Sequence, residues 1–273
     1  MISTKKDIIE VSNETISEVE NGSRYMNHIF TRVSAKGLTI TNVTFNYSIF
    51  DDCYFRNCTF DSCNFIGSKF IASNFEGSKF IGCNFEYSVF RHTNIEENIL
   101  DNNCPSHENL RFKFARNLRS NFQSIGNTEG ANKAILVELE STKSYLCKAW
   151  HSNESYYRKK YQNWDRGYKF ISWLKFRVGE LVWGNGESLL KLGITVLMIF
   201  LAISLIEALK IENVDQVHGT CSICKGLVRS PQIFFNIDQP THYSKLYISI
   251  IYFIRLLFFS LFMAIVIKRF SKR

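Results

Sequence analysis

Every fifth residue from 45 to 100 is large and apolar: Phe45, Phe50, Phe55, Phe60, Phe65, Phe70, Phe75, Phe80, Phe85, Phe90, Ile95 and Leu100. Two places before each stands a residue that is mostly small: Val43, Ser48, Cys53, Cys58, Cys63, Ser68, Ser73, Ser78, Cys83, Ser88, Thr93 and Asn98. A period of five fits neither an α-helix nor a flat strand. In an extended chain, residues i and i−2 share a side, so the large and the small residue of each unit point inward together. The pattern then skips a place and restarts at i+3, which predicts a corner in every unit. Repeated corners of one hand make a coil, and stacked coils hydrogen-bond like parallel strands about 4.8 Å apart. Phe fills the axis, and its small partner lets the wall approach it. Outward positions carry Asp51, Asp52, Arg56, Asp61, Glu76, Glu86 and Glu96. Phe30 and Ile40 keep the phase upstream, but Ala35 interrupts it, which predicts an irregular first coil. Residues 1–24 are polar apart from a short β-like run at Ile8, Ile9 and Val11, and read as a lead-in or cap.

This series, with twelve units and no insertion, resembles the pentapeptide-repeat family. The resemblance implies a right-handed quadrilateral β-helix with four units to a coil. Residues twenty apart would then stack in ladders: Phe45/Phe65/Phe85, Phe50/Phe70/Phe90, Phe55/Phe75/Ile95 and Phe60/Phe80/Leu100.

After Asn102, Asn103, Cys104 and Pro105 the pattern changes to a helical period. Ser106 reads as an N-cap, and Leu110, Phe114, Leu118 and Phe122 form one apolar face. Gly126 and Asn127 make a turn, and a second helix from Glu129 carries Ala131, Ala134, Ile135, Leu139, Leu146 and Trp150 on its apolar face. Residues 155–183 mix Tyr156, Tyr157, Tyr161, Trp164, Trp173 and Trp183 with basic side chains, which suits a membrane interface. A solvated helix face is the plainer reading of the same residues.

Two apolar stretches follow, at about 188–209 and 246–267, each long enough to cross a bilayer. Lys169, Lys175, Arg177 and Lys191 precede the first, and Lys268, Arg269, Lys272 and Arg273 follow the second. The excess of positive charge on cytosolic flanks predicts both termini in the cytosol of an inner-membrane protein, with loop 210–245 outside. The run from Leu181 to Glu187, the basic end after Ile267 and the helical hairpin resemble the two-span, ion-channel-like tails of some pentapeptide-repeat proteins. In the hairpin this likeness rests on Leu118, Arg119, Phe122, Ile125, Gly126, Asn127, Glu129, Gly130, Ala131, Glu138 and Glu140. The departure lies between the spans, where no Thr-Val-Gly-Tyr-Gly run of a potassium filter is present.

Charge is unevenly spread. Residues 1–102 hold nine basic and 13 acidic side chains, and the remainder 24 and 12. With two apolar spans present, the basic half points to a lipid bilayer rather than to nucleic acid. The Lys5 and Lys6 end has no apolar h-region, so no signal peptide is expected. Cys53, Cys58, Cys63 and Cys83 alternate with Ser at the small inward site and read as core residues. Cys221 and Cys224, with His218 nearby, are compatible with a disulfide, free thiols or part of a metal site, a disulfide being permitted outside the cell. Residues 230–235 suit either a short re-entrant helix or a surface loop.

Arg255 interrupts the second span. Counted from Lys268 it stands about 20 Å up, while Glu207 stands about 24 Å up from Lys191. The two depths suggest a Glu207–Arg255 pair, within a hairpin or between subunits; snorkelling and a pore-lining role are the alternatives.

The sequence therefore predicts a β + α membrane protein: a lead-in over 1–24, a β-helix over 25–103, a helical neck and interfacial segment over 104–187, and a two-helix transmembrane domain over 188–273. No nucleophile–base pair, metal set or cofactor motif stands out, so no enzyme is expected. Two spans cannot enclose a pore, so conduction requires a homo-oligomer, a tetramer by analogy. The expected function is a channel-like or pore-like effector of a bacterial membrane, phage defence being one such role, with a trigger or protein partner at the β-helix or neck. The alternative is a membrane-anchored scaffold that does not conduct.

Overall fold

The five-residue corner has a backbone signature. From Phe30 to Phe90, the second residue after each inward position of the five-residue series adopts positive φ, as at Asn42 (55°), Asp52 (53°), Ser62 (56°) and Ala72 (48°). A left-handed residue between extended ones turns the chain, at a steric cost to any side chain other than glycine. The computed structural model describes residues 8–215, 220–238 and 243–270, with the side chains of 209–225 and of Arg269 outside that description. It divides into two compact units, Met1–Phe170 and Ile171–Arg273.

In the first unit the corners produce a β-solenoid of about four turns. Its strands are β1 (Ile9–Ser12), β2 (His28–Thr31), β3 (Ser34–Lys36), β4 (Thr39–Thr41), β5 (Ile49–Asp51), β6 (Tyr54–Arg56), β7 (Thr59–Asp61), β8 (Lys69–Ile71), β9 (Lys79–Ile81) and β10 (Val89–Arg91). All pair in parallel, in the orders β1-β2-β5-β8-β10, β3-β6 and β4-β7-β9. Isolated bridges through Arg24, Thr44, Asn64 and Asn84 make the fourth side. Partners such as Phe50 and Phe70 are twenty residues apart, so four units make one coil. Ala35 lies buried in register with Phe55, so the first coil closes despite its small residue. β1 pairs with β2 in a register one residue shorter, Val11 facing Phe30.

The rings stack along the axis. Phe50 and Phe70 are 5.0 Å apart between centroids, and Phe70 and Phe90 4.6 Å, both nearly parallel. The Phe45/Phe65/Phe85, Phe55/Phe75 and Phe60/Phe80 steps repeat this geometry. All twelve predicted large positions are buried. The last departs from strand geometry, because Leu100 sits with Ile99 in the short helix α1 (Ile99–Asn102).

The small site has a second task. Ser78 Oγ accepts from the Cys58 amide at 2.9 Å and donates to the Phe55 carbonyl at 2.8 Å. Ser73 does the same for Cys53 and Phe50. Thiols take the same donor place, Cys53 Sγ reaching the Phe30 carbonyl at 3.2 Å and Cys63 Sγ the Ile40 carbonyl at 3.3 Å. Burial pushes the Cys53 thiol up to about 11. Contact with the Cys63 thiol, together with burial, raises Cys83 further. These are packed, inert thiols.

The solenoid ends under a helical hairpin, α2 (Glu108–Ser124) and α3 (Thr128–His151). The N-cap of α2 is His107 rather than Ser106, and it makes no side-chain cap bond. Phe114 extends the ring stack, 5.9 Å from Phe85. Asparagine amides finish the open backbone edge. Asn121 takes the Thr93 amide at 2.9 Å and the Thr93 carbonyl at 2.8 Å, and Asn117 holds Phe90 in the same way. Asn103, twenty residues after Cys83, takes the Cys83 amide at 2.8 Å and the Phe80 carbonyl at 2.9 Å. At the hairpin turn, a Cβ on Gly130 would lie 2.9 Å from the Phe122 ring, so only glycine allows this approach. Beyond α3 come α4 (Ser155–Lys160) and α5 (Trp164–Trp183). A 3-10 turn (Gly184–Gly186) then leads to α6 (Leu189–Asp215), α7 (Thr220–Phe234) and α8 (Lys245–Phe270).

Candidate functional site

In the second unit, α6 and α8 contain stretches, Leu189–Ala208 and Lys245–Lys268, that are long and apolar enough to cross a membrane. Their outer faces are bare: Leu190, Leu197 and Met198 on α6 and Phe253, Leu256 and Phe259 on α8 are exposed. Exposed apolar surface on this scale marks contact with lipid or protein.

The predicted external loop 210–245 contains the fifteen-residue helix α7. α7 runs back along α6. Gly226 lies on Ser204, where an added Cβ would come 2.8 Å from the Ser204 carbonyl oxygen. Phe234 packs against Phe200 at 5.3 Å between ring centroids. Small residues at such a crossing let two backbones approach. Residues 230–235 are thus not a surface loop: Ser230, Ile233 and Phe234 are buried. The end of α7 stands beside the middle of α6.

A charged cluster sits where α7 crosses α6. Glu207, 2% exposed, forms an ion pair with Arg229 at 3.5 Å. Arg229 Nε also donates to Asp238 Oδ2 at 2.6 Å. The predicted Glu207–Arg255 pair is not formed within the chain. The reason is register: Glu187, not Lys191, forms an ion pair with Lys268. Measured from that level, Glu207 is about 30 Å up and Arg255 about 20 Å, which puts them roughly two turns apart. Arg255 instead lies over the Tyr252 ring, 4.0 Å from its centroid.

The other predicted site, Cys221 and Cys224, lies outside the described side chains. Among the described residues no group of three or more His, Cys, Asp or Glu side chains is placed to hold a metal. On α5 no residue is buried. Trp164, Tyr168, Ile171, Leu174, Val178 and Leu181 are all exposed along it.

Two carboxylates of the first unit, Glu138 and Glu108, make pairings that the sequence pattern does not give. Glu138, on the inner face of α3, receives Arg116 at 3.0 Å and Arg119 at 3.1 Å. Glu108 binds Lys148 at 2.6 Å and the Tyr157 hydroxyl at 3.2 Å. Burial acts to raise the Glu108 carboxyl, but Lys148 and the other hydrogen bonds outweigh it and hold the group below its ordinary range.

A family model described as pentapeptide repeats, in eight copies, matches residues 40–77 and 48–86. This domain is a pentapeptide-repeat solenoid. Several solved structures are similar to it, among them the following three. A pentapeptide repeat protein (Rfr23) from the cyanobacterium Cyanothece 51142 has 10% identity and a TM-score of 0.24, covering 31% of this chain and 69% of its own. Two trypsin-treated forms of QnrB1, a plasmid-mediated fluoroquinolone resistance protein, have 14% and 15% identity, both with a TM-score of 0.14. They cover 34% and 33% of this chain, which in turn spans 64% and 62% of theirs. No curated protein matches the chain in sequence. The two apolar helices at the C-terminal end are consistent with the membrane tail expected from the sequence.

Proposed function

We propose that this is an oligomeric membrane protein in which a cytosolic pentapeptide-repeat domain controls a channel-like domain formed by α6, α7 and α8. The observation that carries the reading is α7. A plain two-helix anchor needs only a polar connection between its spans. Here the connection folds back along α6 to mid-helix and keeps a Glu207–Arg229–Asp238 cluster beside it. Non-helical backbone and charge at membrane depth are tolerated where they meet protein or a water-filled cavity. Both termini face the cytosol in this reading, and the exposed apolar and basic side chains of α5 lie at the inner headgroups. A signal reaching the solenoid or the neck opens the pore, which suits a bacterial inner-membrane effector such as one acting in phage defence.

The test is the purified full-length chain in planar bilayers. Stepwise conductance is expected. A silent bilayer, together with a stable protein partner captured on the solenoid, would instead assign a membrane-anchored scaffold.

A further inference from the structure

Arg255 is the charge that the proposed pore leaves unexplained. It lies ten residues into α8 from Lys245, about 15 Å along the helix. A guanidinium at that depth is costly and asks for a partner. Among the described residues it has no hydrogen bond or ion pair, only the face of Tyr252. It borders a groove of about 680 Å³ between α6 and α8, otherwise lined by apolar side chains such as Leu192, Val196, Phe234 and Phe259.

Charge complementarity names the occupant. Among the described residues the Glu207–Arg229–Asp238 cluster has two carboxylates and one guanidinium, an excess of negative charge. Asp238 opens into a crevice with Ile248, Ile251 and Tyr252. Helical side chains lean toward the N-terminus of their helix, and Arg255 does so, its guanidinium reaching the ring one turn back. That puts its positive charge level with Asp238, whose own chain supplies Arg229 instead. We infer that Arg255 of one copy pairs with Asp238 of a neighbouring copy, across an interface in which the α6–α8 groove receives the second copy. The inference rests on the oligomeric membrane reading above and names its interface.

The experiment measures the assembly of the detergent-solubilised full-length chain by mass photometry. Arg255→Asp and Asp238→Arg should each break the oligomer. The two variants, co-expressed with different tags, should recover mixed oligomers, because alternating copies restore every pair. If a charge reversal fails to insert, Arg255→Gln and Asp238→Asn should still weaken assembly with helix content unchanged. Unaltered oligomers in all these variants would overturn the pairing and leave the groove to acyl chains. Recovery only when both reversals share one chain, or no recovery at all, would overturn it too. The readout is independent of conductance. A conducting chain indifferent to these substitutions loses this interface and keeps the proposed function, whereas charge-dependent oligomers that never conduct keep the interface and lose the channel.

Discussion

The solenoid and the helical second unit hold their charges and cores by opposite means. In the solenoid most inward Phe side chains meet another Phe one coil away, so Phe50 lies on Phe70 and Phe70 on Phe90. A period in sequence becomes a column in space. In the second unit the contacts described between α6 and α7 do not repeat. Gly226 on Ser204, Phe234 on Phe200 and Arg229 between Glu207 and Asp238 are single pairings across one helix crossing. The first design spreads stability over many equivalent sites, and the second concentrates it in a few.

The sharpest way to break the comparison is to attack one site of each kind. Phe70, fully buried in the axial column, should cost about 3–5 kcal/mol as Phe70→Ala, the usual range for a buried Phe. Ile71→Ala, one place on and facing outward, should cost far less in the same denaturant melts. Equal losses would abolish the five-residue register. In the second unit, Gly226→Val puts atoms where the Ser204 backbone already lies. Overpacking of this kind costs about 1–3 kcal/mol, and it should separate α7 from α6. Hydrogen exchange should then rise in residues 226–234 and stay unchanged in the solenoid. Protection that falls in both units together would show that they are not separate.

A smaller effect tests the end of the column. Asn121→Ala removes both hydrogen bonds that close Thr93, leaving buried backbone groups unpaired at about 1–3 kcal/mol. Fraying should be confined to exchange at the last coil. A uniform loss through every coil would contradict a local cap. The smallest effect belongs to Cys63→Ser. The hydroxyl can donate to Ile40 as the thiol does, so the melt should stay nearly unchanged. A metal released from the wild type, or a collapsed fold in the variant, would contradict the packed-thiol account.

Legibility in the sequence follows the same division. The inward Phe series predicted its own contacts because a fixed period implies a fixed neighbour. The one-residue shift between Val11 and Phe30 was not legible, since a single coil edge has no period to reveal it. The asparagine cap was half visible. Asn103 falls in phase with Cys83, and Asn117 and Asn121 lie one turn apart on the face of α2 that meets the last coil. A polar residue among Leu118 and Phe122 is a signal that a backbone edge needs closing. Glu138 gives the same signal on α3. The tail was read only to the level of its spans. Depth counted from Lys191 misplaces Glu207, because the ion pair with Lys268 uses Glu187. Arg229 carries no periodic signal, because nothing in the sequence between the spans announces a helix that returns along α6.

The proposed channel-like tail depends on the depth reached by α7. Phe235, just past its end, is exposed and shares the groove with Val196 and Arg255. A nitroxide on Phe235→Cys in vesicles, read by relaxation with oxygen and with a water-soluble nickel chelate, measures that depth directly. The predicted result is a lipid-buried label, as deep as one on Leu256→Cys. A label as open to the nickel chelate as one on Ser244→Cys would contradict the returning helix and reduce the tail to an anchor.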